Sequence, residues 1–195
     1  MITGWGVHHV DIAQWGMGAE LSGPVEIEAT AEFPANGLWD VHGKFSVKAK
    51  YGDGTTLFMT DEYPNGVRFE GSEGWILVTR GSYSVTSTDP VSKGENVKAL
   101  SASDPRILKS EVGSGGIHLY RSKDHHGNWL DCIRSRKQTI CPVEAGHRAT
   151  STCLLSHIAM KLRRRLEWDP ETERFKHDDE ANRFLSRPQR APYQT

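Results

Sequence analysis

The stretch Val25-Glu26-Ile27-Glu28-Ala29-Thr30-Ala31-Glu32-Phe33 decides the fold, because apolar and polar residues alternate along all of it. Successive side chains of a strand point to opposite faces of a sheet, so the pattern predicts one dry face and one wet or partner-facing face. Phe45–Tyr51 repeats the alternation, with Lys48 and Lys50 on its polar side. The acidic and basic polar faces can pair across neighbouring strands.

Turn residues divide the sequence that follows into more short strands. Gly52-Asp53-Gly54 and Pro64-Asn65-Gly66 carry the residue types that turns favour. Three further strands are predicted, at 55–60, 67–70 and 75–79. Because hairpins rather than helical crossovers join them, we expect an antiparallel meander of about five strands.

Helices flank this predicted sheet. The spacing predicts a helix over 7–17, ended by Gly16 and Gly18, and a second over 124–137, capped by Asp124. A short helix or turn is predicted at 104–106, a long helix from 142 to about 165, a hairpin at 166–175 and a short helix at 178–184. The fold class is therefore α+β: an open, mainly antiparallel β-sheet with helices packed on one face.

Length and charge narrow the classes of function. A chain of 195 residues suits one domain, which we assign to 1–195. With 24 basic and 25 acidic residues, the whole chain gives no reason to expect nucleic acid or an anionic membrane as a partner. No apolar run reaches the roughly 20 residues of a membrane span, and the start lacks the pattern of a signal peptide. A cytoplasmic location is predicted.

The cysteines favour a reducing compartment. There are three, at Cys132, Cys141 and Cys153, an odd number without CxxC spacing. This argues against a disulfide framework and a zinc knuckle, so we expect small buried thiols and no metal.

The stretch Gly4–Trp15 carries the strongest chemical signal. His8, Asp11 and Trp15 share one face of the predicted helix, and two glycines before it allow a close approach of the backbone to a ligand. An imidazole and a carboxylate one turn apart can bind a polyol or move a proton near neutral pH. From spacing alone, a capped and solvated helix is the favoured interpretation, and a site is the alternative.

Other candidates carry weaker signals. The adjacent pair His125-His126 is unsuited to joint metal binding, because neighbouring helical residues diverge. His147, in the first turn of the long helix, can point into a ligand pocket. Trp39 can stack on a ring of a ligand or anchor its loop. His157 is interpreted as a packing or interface residue, and 163–165 as a solvated, basic helix end.

The chain resembles the Gfo/Idh/MocA family (glucose-fructose oxidoreductase/inositol dehydrogenase-like), in its bacterial branch. Gly6, His8 and Asp11 match the G-x-H-x-x-D part of the D-x-G-x-H-x-x-D motif that opens the family's C-terminal domain. The likeness continues in further segments: Val10–Trp15, Asn65–Val67, Phe69–Trp75, Asn128–Lys137 and Arg187–Tyr193.

The resemblance implies the substrate-side domain of an NAD(P)-dependent oxidoreductase acting on a sugar, glycoside or cyclitol hydroxyl. His8 would be the catalytic, proton-handling residue, and Asp11, His9, Trp5 and His147 would bind substrate. The implied partners are a sugar-like small molecule, the protein's own N-terminal Rossmann domain, and a homo-oligomer formed through the sheet. NAD or NADP would serve the full-length protein.

Two departures from the family pattern bear on activity. Gly4 occupies the position of the family's first motif Asp, so one acid/base group is absent. The Rossmann half and its catalytic lysine are not in this chain, and Gly113-Ser114-Gly115-Gly116 has the wrong spacing for a dinucleotide fingerprint. We therefore expect no cofactor binding and no hydride transfer by this chain alone. The alternative function is a non-catalytic sugar-binding or oligomerisation module.

Overall fold

A computed structural model describes residues 2–79 and 98–192. The polar, low-complexity patch near Ser82–Ser87 and the last residues of the tail lie outside the described residues. The described residues divide into two compact units. The first comprises Met1–Tyr63 and Arg148–Thr195, and the second comprises Pro64–His147.

A run of six strands precedes a run of three helices in the chain, which confirms the predicted α+β class. The helical elements are a π-helical turn Ile2–Gly6, α1 Val7–Met17, α2 Pro105–Leu108, α3 His125–Ser135, α4 Val143–Leu162, α5 Asp179–Asn182 and a 3-10 turn Arg183–Leu185. The strands are β1 Glu26–Ala31, β2 Phe45–Lys50, β3 Thr56–Thr60, β4 Val67–Gly71, β5 Gly74–Val78, β6 Leu100–Ala102, β7 Leu166–Asp169 and β8 Arg174–Phe175.

The first unit contains an antiparallel sheet in the order β3-β2-β1-β7-β8. Ile27 lies opposite Ala49, and Ala29 lies opposite Val47, so the apolar positions of β1 and β2 coincide on one face. The polar positions coincide on the other face, where Glu28 lies opposite Lys48. The alternation predicted for Val25–Phe33 is thus confirmed as the register of the central strand.

The dry face of this sheet packs on α4. Ile27 and Ala49 are fully buried, and they belong to one core cluster with Cys153, Ala159 and Met160 of the helix. Small side chains at Cys153 and Ala159 let the helix lie close to the sheet, while Met160 fills the remaining space. Helix and sheet are therefore held together mainly by apolar burial.

Polar contacts fix the C-terminal part of the first unit. The guanidinium of Arg164, just after α4, donates to the carboxylates of Asp178 and Glu180. Asp178 also caps α5 by accepting from the backbone N–H of Ala181 at 2.9 Å. This corrects the interpretation of 163–165 as a merely solvated helix end, because Arg164 holds the segment that follows β8.

The second unit contains the antiparallel sheet β4-β5-β6. At Gly74, with φ 141°, an added Cβ would lie 2.2 Å from Ser103 Oγ, so this tight hairpin requires glycine. Asp124 caps α3, as the sequence predicts, and Asp104 caps the short helix α2. The α3 cap accepts from the backbone N–H groups of His126 and Gly127.

The prediction of a single antiparallel meander of about five strands is wrong. β3 and β4 belong to different sheets, and the first sheet is completed by β7, more than 100 residues beyond β1 in the chain. The Pro64-Asn65-Gly66 turn therefore separates two units instead of joining two paired strands. Local turn signals do not reveal pairing between strands that are distant in sequence.

The apolar side chains of α3 and the cysteines differ in burial. On α3, Trp129, Leu130 and Ile133 are largely exposed, whereas Cys132 is buried. Cys141 is exposed, so the prediction of buried thiols holds only for Cys132 and Cys153. In residues 2–79 and 98–192, no helix is both long and apolar enough to cross a membrane.

Candidate active site at the start of α1

The candidate site begins with an uncommon piece of backbone. Ile2–Gly6 forms a π-helical turn that runs directly into α1 at Val7. Such turns are rare and are found frequently at functional sites. Ile2 is buried in the core cluster and anchors the start of the turn. Trp5, His8, His9 and Asp11 therefore project from one continuous, anchored helical segment.

His8 and Trp5 lie side by side on this segment. Their ring centroids are 5.3 Å apart, and the rings are tilted by 45°. His8 is exposed and Trp5 is half-buried, so the imidazole has one flank on the indole and the other open. An exposed imidazole beside an aromatic surface can exchange a proton with a ligand hydroxyl while the indole packs against the ligand's carbon skeleton.

Asp11 lies one turn after His8. Burial raises the pKa of the Asp11 carboxyl above its usual range, and the nearby His8 imidazole opposes that shift. A carboxylate with weakened hydration gains more from a ligand hydroxyl than a fully hydrated one does. The His8–Asp11 face therefore combines a proton-transfer group with an acceptor for a polyol.

His9 has a separate local role. Its Nδ1 lies 3.0 Å from the backbone oxygen of Trp5, a distance at which a protonated Nδ1 donates to that carbonyl. In this tautomer Nε2 becomes an acceptor. The bond ties the first turn of α1 to the π-helical turn and so fixes the backbone next to Trp5.

Gly4 leaves a gap on the same surface. A Cβ built at Gly4 would have no atom within 4 Å. Gly4 also lies outside the left-handed backbone region, so neither packing nor conformation demands glycine there. The departure from the family motif at this position therefore removes a side chain without filling its place.

His147 is the one predicted site residue outside the first unit. It is exposed in the first part of α4 and belongs to the second unit. The second unit also has a depression of about 380 Å³ beside Phe69, Trp75 and Ile107. The Arg68 guanidinium lies over one face of the Trp75 indole, 4.9 Å from the ring centroid. No residue predicted for the site lines this depression.

A cluster of aromatic and histidine rings was not predicted from the sequence. His42 is buried to 8% exposure and contacts Phe33, Phe45 and His157. His42 therefore anchors this loop. Trp39, one of whose two predicted roles was to anchor the loop, is 74% exposed. No short motif signals this cluster, because its members come from the β1–β2 connection and from the distant α4.

The described residues do not fit a metal or a dinucleotide. In residues 2–79 and 98–192, no three His, Cys, Asp or Glu side chains are placed to share a metal ion. Gly113–Gly116 forms an exposed turn in which the Gly116 N–H donates to the Gly113 oxygen at 2.8 Å. This turn neither follows a strand nor opens a helix, as a dinucleotide fingerprint requires.

Comparison with known proteins indicates a class of domain. Residues 116–195 match the family model described as "Oxidoreductase family, C-terminal alpha/beta domain". This part of the chain is thus similar to the C-terminal domain of Gfo/Idh/MocA oxidoreductases, the family that the sequence resembles. Comparison with curated proteins finds no significant match.

Solved structures share the fold at low sequence identity. An aldose-aldose oxidoreductase from Caulobacter crescentus, complexed with glycerol, has a TM-score of 0.55 and 16% identity over 83% of this chain and 45% of its own. An NAD-binding protein from Listeria innocua has a TM-score of 0.52 and 14% identity over 86% of this chain and 47% of its own. An oxidoreductase from Agrobacterium radiobacter in complex with NAD+, L-tartaric acid and magnesium has a TM-score of 0.51 and 13% identity over 86% of this chain and 48% of its own. The chain spans about half the length of these proteins.

Proposed function

We propose that this chain is the substrate-side domain of an NAD(P)-dependent oxidoreductase that acts on a hydroxyl of a sugar, glycoside or cyclitol. The observation that carries the proposal is the pairing of exposed His8 with half-buried Asp11, one turn apart beside Trp5. The family match over 116–195 supports the reaction class. The predicted single domain over 1–195 and the predicted cytoplasmic location stay predictions.

In this proposal His8 handles the proton of the reacting hydroxyl. Its exposed flank is where a ligand hydroxyl can approach, and an imidazole takes and returns protons near neutral pH. Asp11 accepts a hydrogen bond from a neighbouring hydroxyl and orients the ring. Trp5 and His9 form the adjoining wall, and His147 is a further substrate contact proposed from the sequence.

The hydride acceptor would bind outside this chain. The turn Gly113–Gly116 does not fit a dinucleotide, so we assign NAD or NADP to a separate Rossmann domain of the full-length protein. That domain is the proposed intramolecular partner. The chain alone is expected to bind a polyol without oxidising it.

Sugar binding by the chain itself provides the first test. Aldoses and inositols are titrated into the chain while the imidazole C–H resonances of the histidines are followed by NMR. We expect the His8 resonance to move with a saturating ligand and Asp11→Asn to weaken that ligand at least tenfold. His177→Asn, a change at an exposed histidine in the left-handed region, is the matched control. A panel without any response at His8 would contradict the proposed site.

Kinetics of the full-length gene product provide the second test. Replacing a positioned proton-transfer group typically costs 10²–10⁴-fold. We therefore expect His8→Ala to lower kcat/KM on the true substrate about 100-fold or more, with His177→Asn unchanged. An unaltered kcat/KM in the His8→Ala enzyme would remove His8 from the mechanism.

A second candidate function is assembly through the polar face of the first sheet. On this face Glu28, Lys48 and Phe58 lie side by side on β1, β2 and β3. Phe58 is 58% exposed, an apolar ring between charged neighbours. Two such faces related by a twofold axis could bury both rings and pair glutamate with lysine.

Sedimentation of the chain over a wide concentration range tests this assembly. We expect a dimer that Phe58→Lys converts to monomer, because the change buries an unpaired charge at the interface. Val41→Lys, a charge added at an exposed loop position away from the strands, is the control. A strictly monomeric wild-type chain at high concentration would count against this function.

A further inference from the structure

The β1–β2 connection is closed by a buried histidine. The loop leaves β1 after Ala31 and enters β2 at Phe45, and His42 is its buried ring at 8% exposure. The ring centroid of His42 lies 5.0 Å from Phe45 and 6.5 Å from Phe33, both in edge-on arrangements. His42 therefore occupies a slot with aromatic walls from both strands.

His157 of α4 forms the floor of this slot. Its ring centroid lies 5.9 Å from His42 and 6.1 Å from Phe33. Lys161, one turn further along α4, places its ammonium 5.2 Å from the Phe33 ring centroid. The imidazoles of His42 and His157 thus lie together among aromatic rings, and the Lys161 ammonium lies beside them.

His42 is also held by a hydrogen bond within its own loop. Its Nδ1 is 3.1 Å from the backbone oxygen of Gly43, so a protonated Nδ1 donates there. This bond fixes the orientation of the His42 ring next to His157.

The contact holds a loop whose tip is apolar and exposed. Leu38 and Trp39 at the tip are 90% and 74% exposed. At the base, Glu32 and Lys44 continue the backbone pairing of the two strands, with Glu32 N–H donating to Lys44 O at 2.9 Å. Among the described contacts between the tip and the base, the His42 ring links the loop to α4 through His157.

We propose that the contact between His42 and His157 forms an acid-sensitive latch, which holds the β1–β2 loop (residues 34–42) on α4 at neutral pH and releases it when His157 takes up a proton. The inference is independent of the proposed oxidoreductase role. Protonation of His157 places a second positive charge near Lys161, between the rings of His42 and Phe33. Opening the loop removes His42 from this contact and lets water hydrate that charge.

The charges around His157 set the direction of the response. Burial lowers the pKa of His157, and Lys161 and His42 lower it further, whereas Asp40 opposes the shift. Because the closed form binds protons more weakly than the open form, closure is favoured fully above the ordinary histidine pKa of about 6.5. The stabilisation is lost as the pH falls below that value.

Amide hydrogen exchange of the intact chain tests the latch. Protection of the peptides covering 34–42, corrected for intrinsic rates, is compared at pH 7.5 and pH 5.5, where most carboxylates remain ionised. We expect a several-fold loss of protection in the wild type at the lower pH, which the titration of one histidine limits to about tenfold. Peptides from β1 and α4 should keep their protection at both values, which separates loop release from unfolding.

Variants without a titrating group complete the test. His157→Phe and His157→Gln, two different replacements of the floor, should show the same loop protection at both pH values in whichever variant remains closed at pH 7.5. His177→Asn should behave like the wild type. Equal wild-type protection at both values would overturn the latch, as would an undiminished pH response in a closed His157 variant. If both His157 variants open the loop at pH 7.5, the comparison of the wild type at the two pH values still decides the test.

Discussion

The two compact units differ in where their apolar side chains lie. Every member of the buried core cluster belongs to the first unit, from Ile27 and Ala49 in the sheet to Met160 in α4. In the second unit, Trp129, Leu130 and Ile133 on α3 are largely exposed. The first unit therefore has a conventional core, while α3 of the second leaves an apolar surface uncovered.

This difference teaches how one sequence pattern can have two outcomes. The alternating strands and α4 bury their apolar stripe because sheet and helix meet face to face. The stripe on α3 has the same helical spacing, yet polar contacts hold the opposite side of that helix. Asn128 accepts from Ile140 N–H at 3.0 Å, and the Cys132 thiol donates to Gln138 O at 3.4 Å.

The largest expected effect is the loss of a core side chain in the first unit. Met160 is fully buried, so Met160→Ala leaves a cavity and should lower the free energy of unfolding by about 2–5 kcal/mol. Leu130→Ala on α3 is the matched control and should change it by less than about 1 kcal/mol, because Leu130 is 46% exposed. Urea denaturation followed by circular dichroism measures both.

Similar losses for the two variants would break the comparison. They would mean that the surface of α3 is buried in solution, through contacts that the described residues do not make. A loss confined to Met160→Ala would confirm that stability resides in the contact between sheet and α4.

The cysteines give a second, smaller difference between the units. Burial raises the pKa of the Cys153 thiol to about 12, whereas Cys141 of the second unit is exposed. At pH 8 a thiol reagent should label Cys141 rapidly and Cys153 about 100-fold more slowly, since Cys153 reacts only when the core opens. Mass spectrometry of peptides over time measures the two rates. Comparable rates would show that the core around α4 opens readily.

Local sequence patterns predicted most of the elements but not their pairing. The alternation in Val25–Phe33 established the central strand, and the glycine at 18 ended α1, because both signals act between near neighbours. The pairing of β1 with β7 depends on contacts across more than 100 residues, for which no local signal exists. The meander was wrong for that reason.

The candidate site divides in the same way. His8 and Asp11 could be grouped from the sequence because helical periodicity places them one turn apart. Trp5, which lies before the predicted helix, was grouped with them only through the family resemblance. The cluster of His42 with His157 could not, because one ring comes from a loop and the other from a distant helix. Spacing identifies a site on one element and misses a site built from two.

The smallest predicted effect concerns the gap at Gly4, where the first unit is open instead of packed. Gly4 lies one helical turn before His8, and a side chain there would meet no neighbouring atom, so Gly4→Asp should fold normally. Gly4→Asp and Gly4→Asn both place a side chain in open space, so each should keep the free energy of unfolding within about 0.5 kcal/mol of the wild type. Urea denaturation followed by circular dichroism measures the change. A loss of more than about 1 kcal/mol in both variants would show that position 4 is packed in solution. A loss in Gly4→Asp alone would point to a negative charge near this position.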